Sequence, residues 1–199
     1  MEIVPNYIFP TAVWSVLFDD REAFNPVLLE HIYSLRDRNP EGVLKTNVNG
    51  WQSPNDIQNL EQFNDLSLRI IQVCKRIGES QYFKPGLLYT LQAWVNINPP
   101  GALNKLHFHP NCHFSGIYYI SLSAPDCGSI YFRDPRVASR MLPYPISATN
   151  EFTAEEVRMK PEEGRMYVFP GWLEHGVDEN RSHYDRVSIA FNVLAQPRS

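Results

Sequence analysis

The sequence predicts a mainly β protein, a sandwich or barrel of the jelly-roll kind. From Leu87 onward it consists of short apolar stretches separated by turns rich in proline and glycine. Several of these stretches alternate apolar and polar residues with the period of two that is typical of β-strands. Helical spacing of apolar residues is confined to two stretches of the first half, so two helices are expected to pack on one face of a sheet.

A chain of 199 residues is expected to form one domain, in which residues 1–86 supply an arm and supporting helices and residues 87–199 form the β core. A net charge of -4 argues against a nucleic-acid surface, and no apolar run approaches the ~20 residues that span a bilayer. Three cysteines without zinc-finger spacing, and an N-terminus without a signal-peptide pattern, are typical of a reduced cytoplasmic protein. We therefore expect a small-molecule or peptide partner, no nucleic acid and no membrane, and we leave a homodimer open.

The first half is expected to begin with an extended segment and to continue into two helices. Residues 1–20 contain apolar pieces broken by prolines, which predicts an edge strand or an arm. A helix is expected over residues 25–38, because Pro26 suits a first helical turn and apolar residues then recur at helical spacing. A second amphipathic helix is expected over residues 60–78, with Gly78 as its stop.

Two segments are expected to be loops. Residues 43–58 are mostly polar but contain Trp51, for which packing in the core is favoured over lining a substrate pocket, since large aromatic side chains bury well. Residues 134–154 form the longest irregular stretch, and such a stretch in a compact domain is often a binding loop or a lid.

The second half carries the strands. Along residues 91–98 apolar residues alternate with Gln92, Trp94, Asn96 and Asn98, which gives one apolar face and one face rich in amides. Such a polar face suits either a pocket inside a barrel or a solvated sheet surface. Further strands are expected at residues 105–109, 115–121, 129–133, 155–159, 165–169, 174–178 and 185–194.

Three histidines next to these strands are candidate metal ligands. His107 and His109 are two residues apart, so on a strand their side chains point the same way. His175 follows an apolar strand and a Pro-Gly turn, which can return it to the first pair from the opposite sheet. Neutral imidazole is a common ligand of zinc and iron, although structural histidines explain a lone His-x-His pair equally well.

The last strand predicts an anion site. Arg186 and Ser188 share one face of the strand at residues 185–194. An arginine that faces a pocket requires a counter-charge. Its planar fork suits a carboxylate, to which the serine can add a hydrogen bond. The alternative is an internal salt bridge to Asp178 or Asp185.

The order of these motifs resembles the iron(II)- and 2-oxoglutarate-dependent dioxygenases, over roughly residues 90–194. In that family a His-x-acid pair, a distant histidine and an Arg-x-Ser lie on a jelly roll. Ser-Gly-x-Tyr-Tyr at residues 115–119 and Phe-Pro-x-Trp-x-x-His at residues 169–175 are most similar to a poorly characterised prokaryotic and phage branch, distantly similar to prolyl hydroxylases. The resemblance implies a cupin-like double-stranded β-helix and a non-haem oxygenase that uses Fe(II), 2-oxoglutarate and O2 to hydroxylate a substrate that the sequence does not identify.

The resemblance implies a ligand set with one departure. His107 and His175 would be iron ligands, whereas His109 stands where most members have Asp or Glu. Three neutral imidazoles leave a more positive iron, which should raise its reduction potential and strengthen binding of an anionic co-substrate. The same residues also resemble the metal motifs of cupins, which include three-histidine iron sites. His113 lies where cupins have a Glu and is therefore a candidate fourth ligand.

Roles in co-substrate binding are implied by the same resemblance. Arg186 would bind the far carboxylate of 2-oxoglutarate, with help from Ser188 and from the hydroxyl of Tyr119. Asn96 would contact the co-substrate from the neighbouring strand, and Ser115 is a further candidate on the wall of the pocket.

Two rival functions remain open at the level of sequence. One is a cupin-type enzyme with three histidine ligands and no 2-oxo acid, such as a dioxygenase, an isomerase or a zinc hydrolase. The other is a non-enzymatic jelly-roll binding module whose histidines are packing residues. Dependence of oxygen consumption on 2-oxoglutarate separates the leading function from the first rival, and metal content separates it from the second.

Overall fold

The computed structural model describes residues 1–122 and 125–198, which fold into two packed β-sheets and two helices. The helices are α1 (Arg21–Arg38) and α2 (Asn64–Ser80). The strands are β1 (Trp14–Leu17), β2 (Asn47–Val48), β3 (Trp51–Gln52), β4 (Leu88–Asn98), β5 (Leu103–His107), β6 (Phe114–Leu122), β7 (Ile130–Arg133), β8 (Glu156–Met159), β9 (Arg165–Pro170), β10 (His175–Val177) and β11 (Arg186–Gln196). Neither helix has the length and apolar character of a membrane span.

One sheet has six strands in the order β1-β9-β6-β11-β4-β3, and the other has five in the order β2-β5-β10-β7-β8. All of the pairings are antiparallel. Every strand expected in the second half is present, with its ends displaced by a few residues. The first half does more than support this core, because β1 and β3 form the edges of the larger sheet and β2 forms an edge of the smaller one.

The two helices pack on the outer face of the six-stranded sheet, as the sequence predicted. Leu28 of α1 and Ile70 of α2 are buried in one cluster with Val95 of β4 and Ile189 of β11. Trp51 belongs to the same cluster and donates from Nε1 to the carbonyl oxygen of Asn39 at 2.8 Å, so its core assignment is confirmed. This packing leaves the opposite faces of β4 and β11 free to line the space between the sheets.

The start of the first helix and both ends of the second differ from those expected from the sequence. The first helix begins at Arg21, so Pro26 lies inside it and not in its first turn. A proline there removes only the donor to the carbonyl of Glu22, an exposed residue that water can satisfy. The second helix continues through Gly78, which is buried against Tyr89 and Phe83. Gly78 is therefore a close-packing position and not a helix stop.

Candidate metal centre and co-substrate pocket

A cavity of about 250 Å³ lies between the two sheets. Its walls include the polar face of β4 and the Arg186 face of β11, so the alternation read from the sequence marks a pocket and not a solvated surface. None of its lining residues is an Asp or a Glu. Prominent among the side chains that line it are Trp94, Asn96, Asn98, Asn104, His107, His109, Ser115, Phe169, His175, Arg186, Ser188 and Asn192.

The structure brings the three predicted histidines together at this cavity. His107 ends β5 and lies opposite His175, the first residue of β10, in the register of the five-stranded sheet. His109 follows two residues later, and its ring packs 5.6 Å from that of Trp94. One ring nitrogen of each histidine lies within 4.8 Å of the others, which is close enough for all three to bind one ion.

Hydrogen bonds fix the orientation of two of the imidazoles. His107 Nδ1 lies 2.6 Å from the carbonyl oxygen of Lys105, and His175 Nδ1 lies 2.8 Å from that of Leu173. A carbonyl oxygen only accepts hydrogen bonds, so Nδ1 carries the proton in both rings and Nε2 keeps a free lone pair. Such carbonyl partners commonly orient metal-binding histidines in proteins.

The electrostatics of the cavity keep these histidines neutral. Burial, reinforced by the neighbouring imidazoles, lowers the pKa of His175 to about 3 and that of His109 to about 4. Burial also lowers the pKa of His107, although the bond to Lys105 opposes this shift. The three rings therefore hold their neutral, ligating form at neutral pH.

Arg186 is a fully buried cation without a carboxylate partner among the described residues. Its Nη1 donates to the carbonyl oxygens of Cys127 and Asp178, the latter at 3.1 Å, while its buried Nη2 has no partner. Asp178 pairs with Arg158 and Asp185 with Arg36, so neither of the internal salt bridges considered from the sequence forms among the described residues. Burial lowers the pKa of Arg186, which reflects the cost of a charge that an anionic ligand would offset.

Two more unpartnered polar atoms lie close to this arginine. The hydroxyl of Tyr119 and Oδ1 of Asn96 are buried without a hydrogen-bond partner in the described chain. The register places both residues directly opposite Ser188, on the two strands that flank β11. Leaving a buried polar atom unpaired costs about 1–3 kcal/mol, so this end of the cavity is built for a polar ligand.

Ser115 lies at the other end of the cavity. Its hydroxyl donates to Oδ1 of Asn192 at 2.7 Å. Asn192 lies four residues from Ser188 along β11, which is roughly 13 Å at the rise of a strand. Asn192 was not singled out from the sequence, although it shares the face of Arg186 and Ser188. The alternation of the strand was the signal that could have identified it.

His113 is separate from the metal centre. Its Nδ1 accepts a hydrogen bond from the backbone N–H of Ala195 at 3.1 Å, and its ring packs edge-on against Phe83 with centroids 5.6 Å apart. This hydrogen bond from Ala195 to Nδ1 holds the end of β11 in place. His113 is therefore a structural residue and not the fourth ligand that the cupin resemblance suggested.

The residues present fit a metal ion with an anionic co-substrate. Three neutral imidazoles supply nitrogen ligands, and the cluster contains no carboxylate from the described part of the chain. The unpartnered donors of Arg186 and Tyr119 lie in the same interior and suit a carboxylate. Fold and site together define a metalloprotein with an anion pocket beside its metal centre.

Comparison with known proteins gives the family. A family model described as "Putative 2OG-Fe(II) oxygenase" matches residues 92–192, which is half of the chain. The chain belongs to this family of oxygenases, whose cofactors are iron(II) and 2-oxoglutarate. No match was found among curated proteins. Membership of a prokaryotic and phage branch stays a prediction.

Solved structures share the fold at low sequence identity. A Pseudomonas putida prolyl-4-hydroxylase is 14% identical, with 95% of this chain and 94% of that chain covered and a TM-score of 0.65. HygX from Streptomyces hygroscopicus, solved with nickel and 2-oxoglutarate bound, is 12% identical, with coverage of 94% and 83% and a TM-score of 0.66. A Trichoplax adhaerens prolyl hydroxylase in complex with a peptide fragment is 12% identical, with coverage of 90% and 83% and a TM-score of 0.61. The predicted double-stranded β-helix is thereby confirmed.

Proposed function

We propose that the protein hydroxylates a small molecule or a peptide, with His107, His109 and His175 holding Fe(II) and Arg186 binding the far carboxylate of 2-oxoglutarate. The observation that carries this proposal is the buried, unpartnered Nη2 of Arg186 in the same interior as three neutral imidazoles. When bound, the iron, 2-oxoglutarate and O2 supply the oxidation of a C–H bond, with 2-oxoglutarate converted to succinate and carbon dioxide.

The protein's own residues preorganise this chemistry. Carbonyl partners hold the rings of His107 and His175, so their Nε2 atoms are oriented before a metal arrives. Arg186 is fixed by two carbonyl oxygens and needs little rearrangement to meet a carboxylate. The hydroxyl of Tyr119 has no competing acceptor and can donate to the same ligand.

The walls of the cavity limit the access of water. Ile117 and Phe169 line the space beside the histidines, and the ring of Phe169 lies 4.5 Å from that of His175. Apolar walls lower the local dielectric, which strengthens the attraction between the metal centre and an anionic co-substrate. They also exclude water from a reaction in which it would compete with the substrate.

The substrate is expected at the Ser115–Asn192 end of the cavity, because Arg186 occupies the opposite end. Two structures with the same fold support small-molecule and peptide substrates. HygX is also solved with hygromycin B, and the Trichoplax enzyme is solved with a peptide fragment. We further propose a reducing, cytoplasmic location, which the three free cysteines support.

The test is the affinity for 2-oxoglutarate, measured through the visible charge-transfer band of the iron-loaded protein. Arg186→Ala should weaken binding by at least about 30-fold, because truncating one partner of a buried charge pair costs about 2–5 kcal/mol. Arg186→Lys should weaken it less, since lysine keeps the charge but loses the planar fork. Arg76→Ala removes an exposed arginine of α2 outside the cavity and should leave the affinity unchanged.

Thermal unfolding of each variant verifies that it is folded, and Arg186→Lys keeps the test valid if the alanine variant is unstable. If both Arg186→Lys and Arg186→Ala are folded and bind 2-oxoglutarate as tightly as the wild type, the assignment of the co-substrate pocket is wrong. Oxygen consumption that is indifferent to 2-oxoglutarate would favour the cupin-type rival, and activity with zinc alone in the absence of oxygen would favour a hydrolase.

A further inference from the structure

A large apolar surface lies outside the cavity. More than half of the exposed large apolar side chains in the described residues belong to two segments, residues 1–9 and 137–157. The stacked rings of Tyr7 and Phe152, with centroids 5.7 Å apart, join these segments. Exposed apolar side chains that cluster in this way mark an interaction site.

The N-terminal arm, defined here as residues 1–12, has exposed side chains and a backbone without hydrogen bonds to the described chain. Every residue of the arm is exposed. No backbone hydrogen bond formed within residues 1–122 and 125–198 involves it. An extended segment with free backbone groups and outward apolar side chains gains from contact with another chain.

Beside the arm lies an apolar groove of about 640 Å³, bounded by the arm, by the start and end of the 134–154 loop and by β8. Phe132, Val157, Met159 and Leu173 contribute its apolar walls. Two arginines of the groove are already neutralised, since Arg133 pairs with Glu156 at 3.0 Å and Arg136 with Asp134 at 2.9 Å. Glu151 and Glu155 are exposed and can remain solvated at a rim.

We propose that this surface, the arm together with the groove, binds a second copy of the same chain about a two-fold axis, with the arm of each copy packed in the groove of the other. One chain supplies both an exposed apolar segment and an apolar groove that can receive it, which is the self-complementarity that a two-fold dimer requires. The groove is lined by 20 residues, which matches the about 20–30 residues that each partner contributes to a standard interface. Among the described residues that line the groove, both arginines are paired, so the groove offers no free guanidinium to an acidic partner or a nucleic acid.

The test is sedimentation velocity of the full chain, loaded with nickel and 2-oxoglutarate, over a range of protein concentrations. The wild type should sediment at twice the 23.0 kDa mass of one chain. Ile8→Glu in the arm and Val157→Glu in the groove should each weaken the dimer by about 30-fold or more, as for hot-spot residues. Both side chains are exposed, at 72% and 48%, so the fold of the monomer should be unaffected.

Leu68→Glu on α2 and Val27→Glu on α1 are matched controls, because they place the same charge at exposed apolar positions away from the surface. They should leave the dimer unchanged. A wild type that is monomeric at every concentration would overturn the proposal. So would a dimer that resists both Ile8→Glu and Val157→Glu, or that responds to only one of them, since the exchange needs arm and groove together. None of these outcomes bears on the 2-oxoglutarate test.

Discussion

As a proposed ligand, His109 departs from the usual set of two histidines and one carboxylate. Its ring is one of three that converge, and no acidic residue of the described chain joins the cluster. With neutral ligands only, the full charge of a divalent ion is available to attract the dianionic co-substrate. The departure should therefore be visible in co-substrate affinity as well as in metal binding.

His109→Asp should weaken 2-oxoglutarate binding by about tenfold or more and lower the reduction potential of the bound iron. A carboxylate about 5 Å from the co-substrate contributes a repulsion of up to roughly 3 kcal/mol at an effective dielectric constant of about 20. Titration of the charge-transfer band and redox potentiometry measure the two effects. His183→Asp makes the same change at an exposed position outside the cavity and should alter neither. If His109→Asp, His183→Asp and the wild type have the same 2-oxoglutarate affinity and the same reduction potential, His109 is not a ligand.

The lowered histidine pKa values predict how the metal-free protein responds to acid. The unfolded chain binds protons at these histidines below about pH 6.5, whereas folded His109 does so only near pH 4 and His175 near pH 3. The unfolded state therefore holds more protons between pH 6.5 and pH 4, and the free energy of unfolding falls as the pH falls through this range.

Urea unfolding of the metal-free protein at several pH values measures this loss. Each histidine contributes at most about 1.4 kcal/mol per pH unit. His109→Asn should reduce the dependence of the free energy of unfolding on pH, and His183→Asn should leave it unchanged. A stability that stays constant from pH 7 to pH 5 would contradict the burial of neutral imidazoles.

At the scale of elements, Asn25 joins α1 to the central strand β6. Its Nδ2 donates to the carbonyl oxygens of Tyr119 and Ile120 at 3.3 and 2.8 Å, and its Oδ1 accepts from the hydroxyl of Tyr118 at 2.6 Å. All of these groups are buried, so the contact fixes the helix on the strand that carries Tyr119.

Asn25→Ala should destabilise the protein by about 3 kcal/mol, because it leaves a hydroxyl and carbonyl oxygens buried without partners. Equilibrium unfolding in urea measures the change. Glu30→Ala, at an exposed position of the same helix, should have a free energy of unfolding within about 0.5 kcal/mol of the wild type. A double-mutant cycle with Tyr118→Phe should show a coupling of at least about 1 kcal/mol. Simple additivity of the two changes would mean that this hydrogen bond contributes nothing.

The elements also show what the sequence could predict. Alternation revealed which faces of β4 and β11 line the cavity, and the spacing of His107 and His109 indicated a shared direction, because these patterns are local. The contacts of Asn25 with Tyr118 and of His113 with Ala195 span 93 and 82 residues. No local pattern encodes such a pairing, so the helix anchor was missed and a structural histidine was offered as a ligand.

At the scale of the whole molecule, the residues proposed to bind the metal and the co-substrate belong to different sheets. His107 and His175 belong to the five-stranded sheet, whereas Arg186 and Tyr119 belong to the six-stranded one. In the proposed arrangement a bound metal would contact the smaller sheet, and 2-oxoglutarate on that metal would link it to the larger sheet. The two ligands should stabilise the fold cooperatively.

Nickel(II) should raise the midpoint of thermal unfolding, and 2-oxoglutarate should raise it further only when nickel is present. A ligand at about 100 times its Kd adds about 2.7 kcal/mol, which is roughly 5–10 °C for a chain of this size. A chelator should reverse both increments. Arg186→Lys should keep most of the nickel increment and lose most of the 2-oxoglutarate increment, because only the second ligand depends on the larger sheet. Stabilisation by 2-oxoglutarate without metal, or an undiminished increment in Arg186→Lys, would show that the co-substrate does not bridge the sheets.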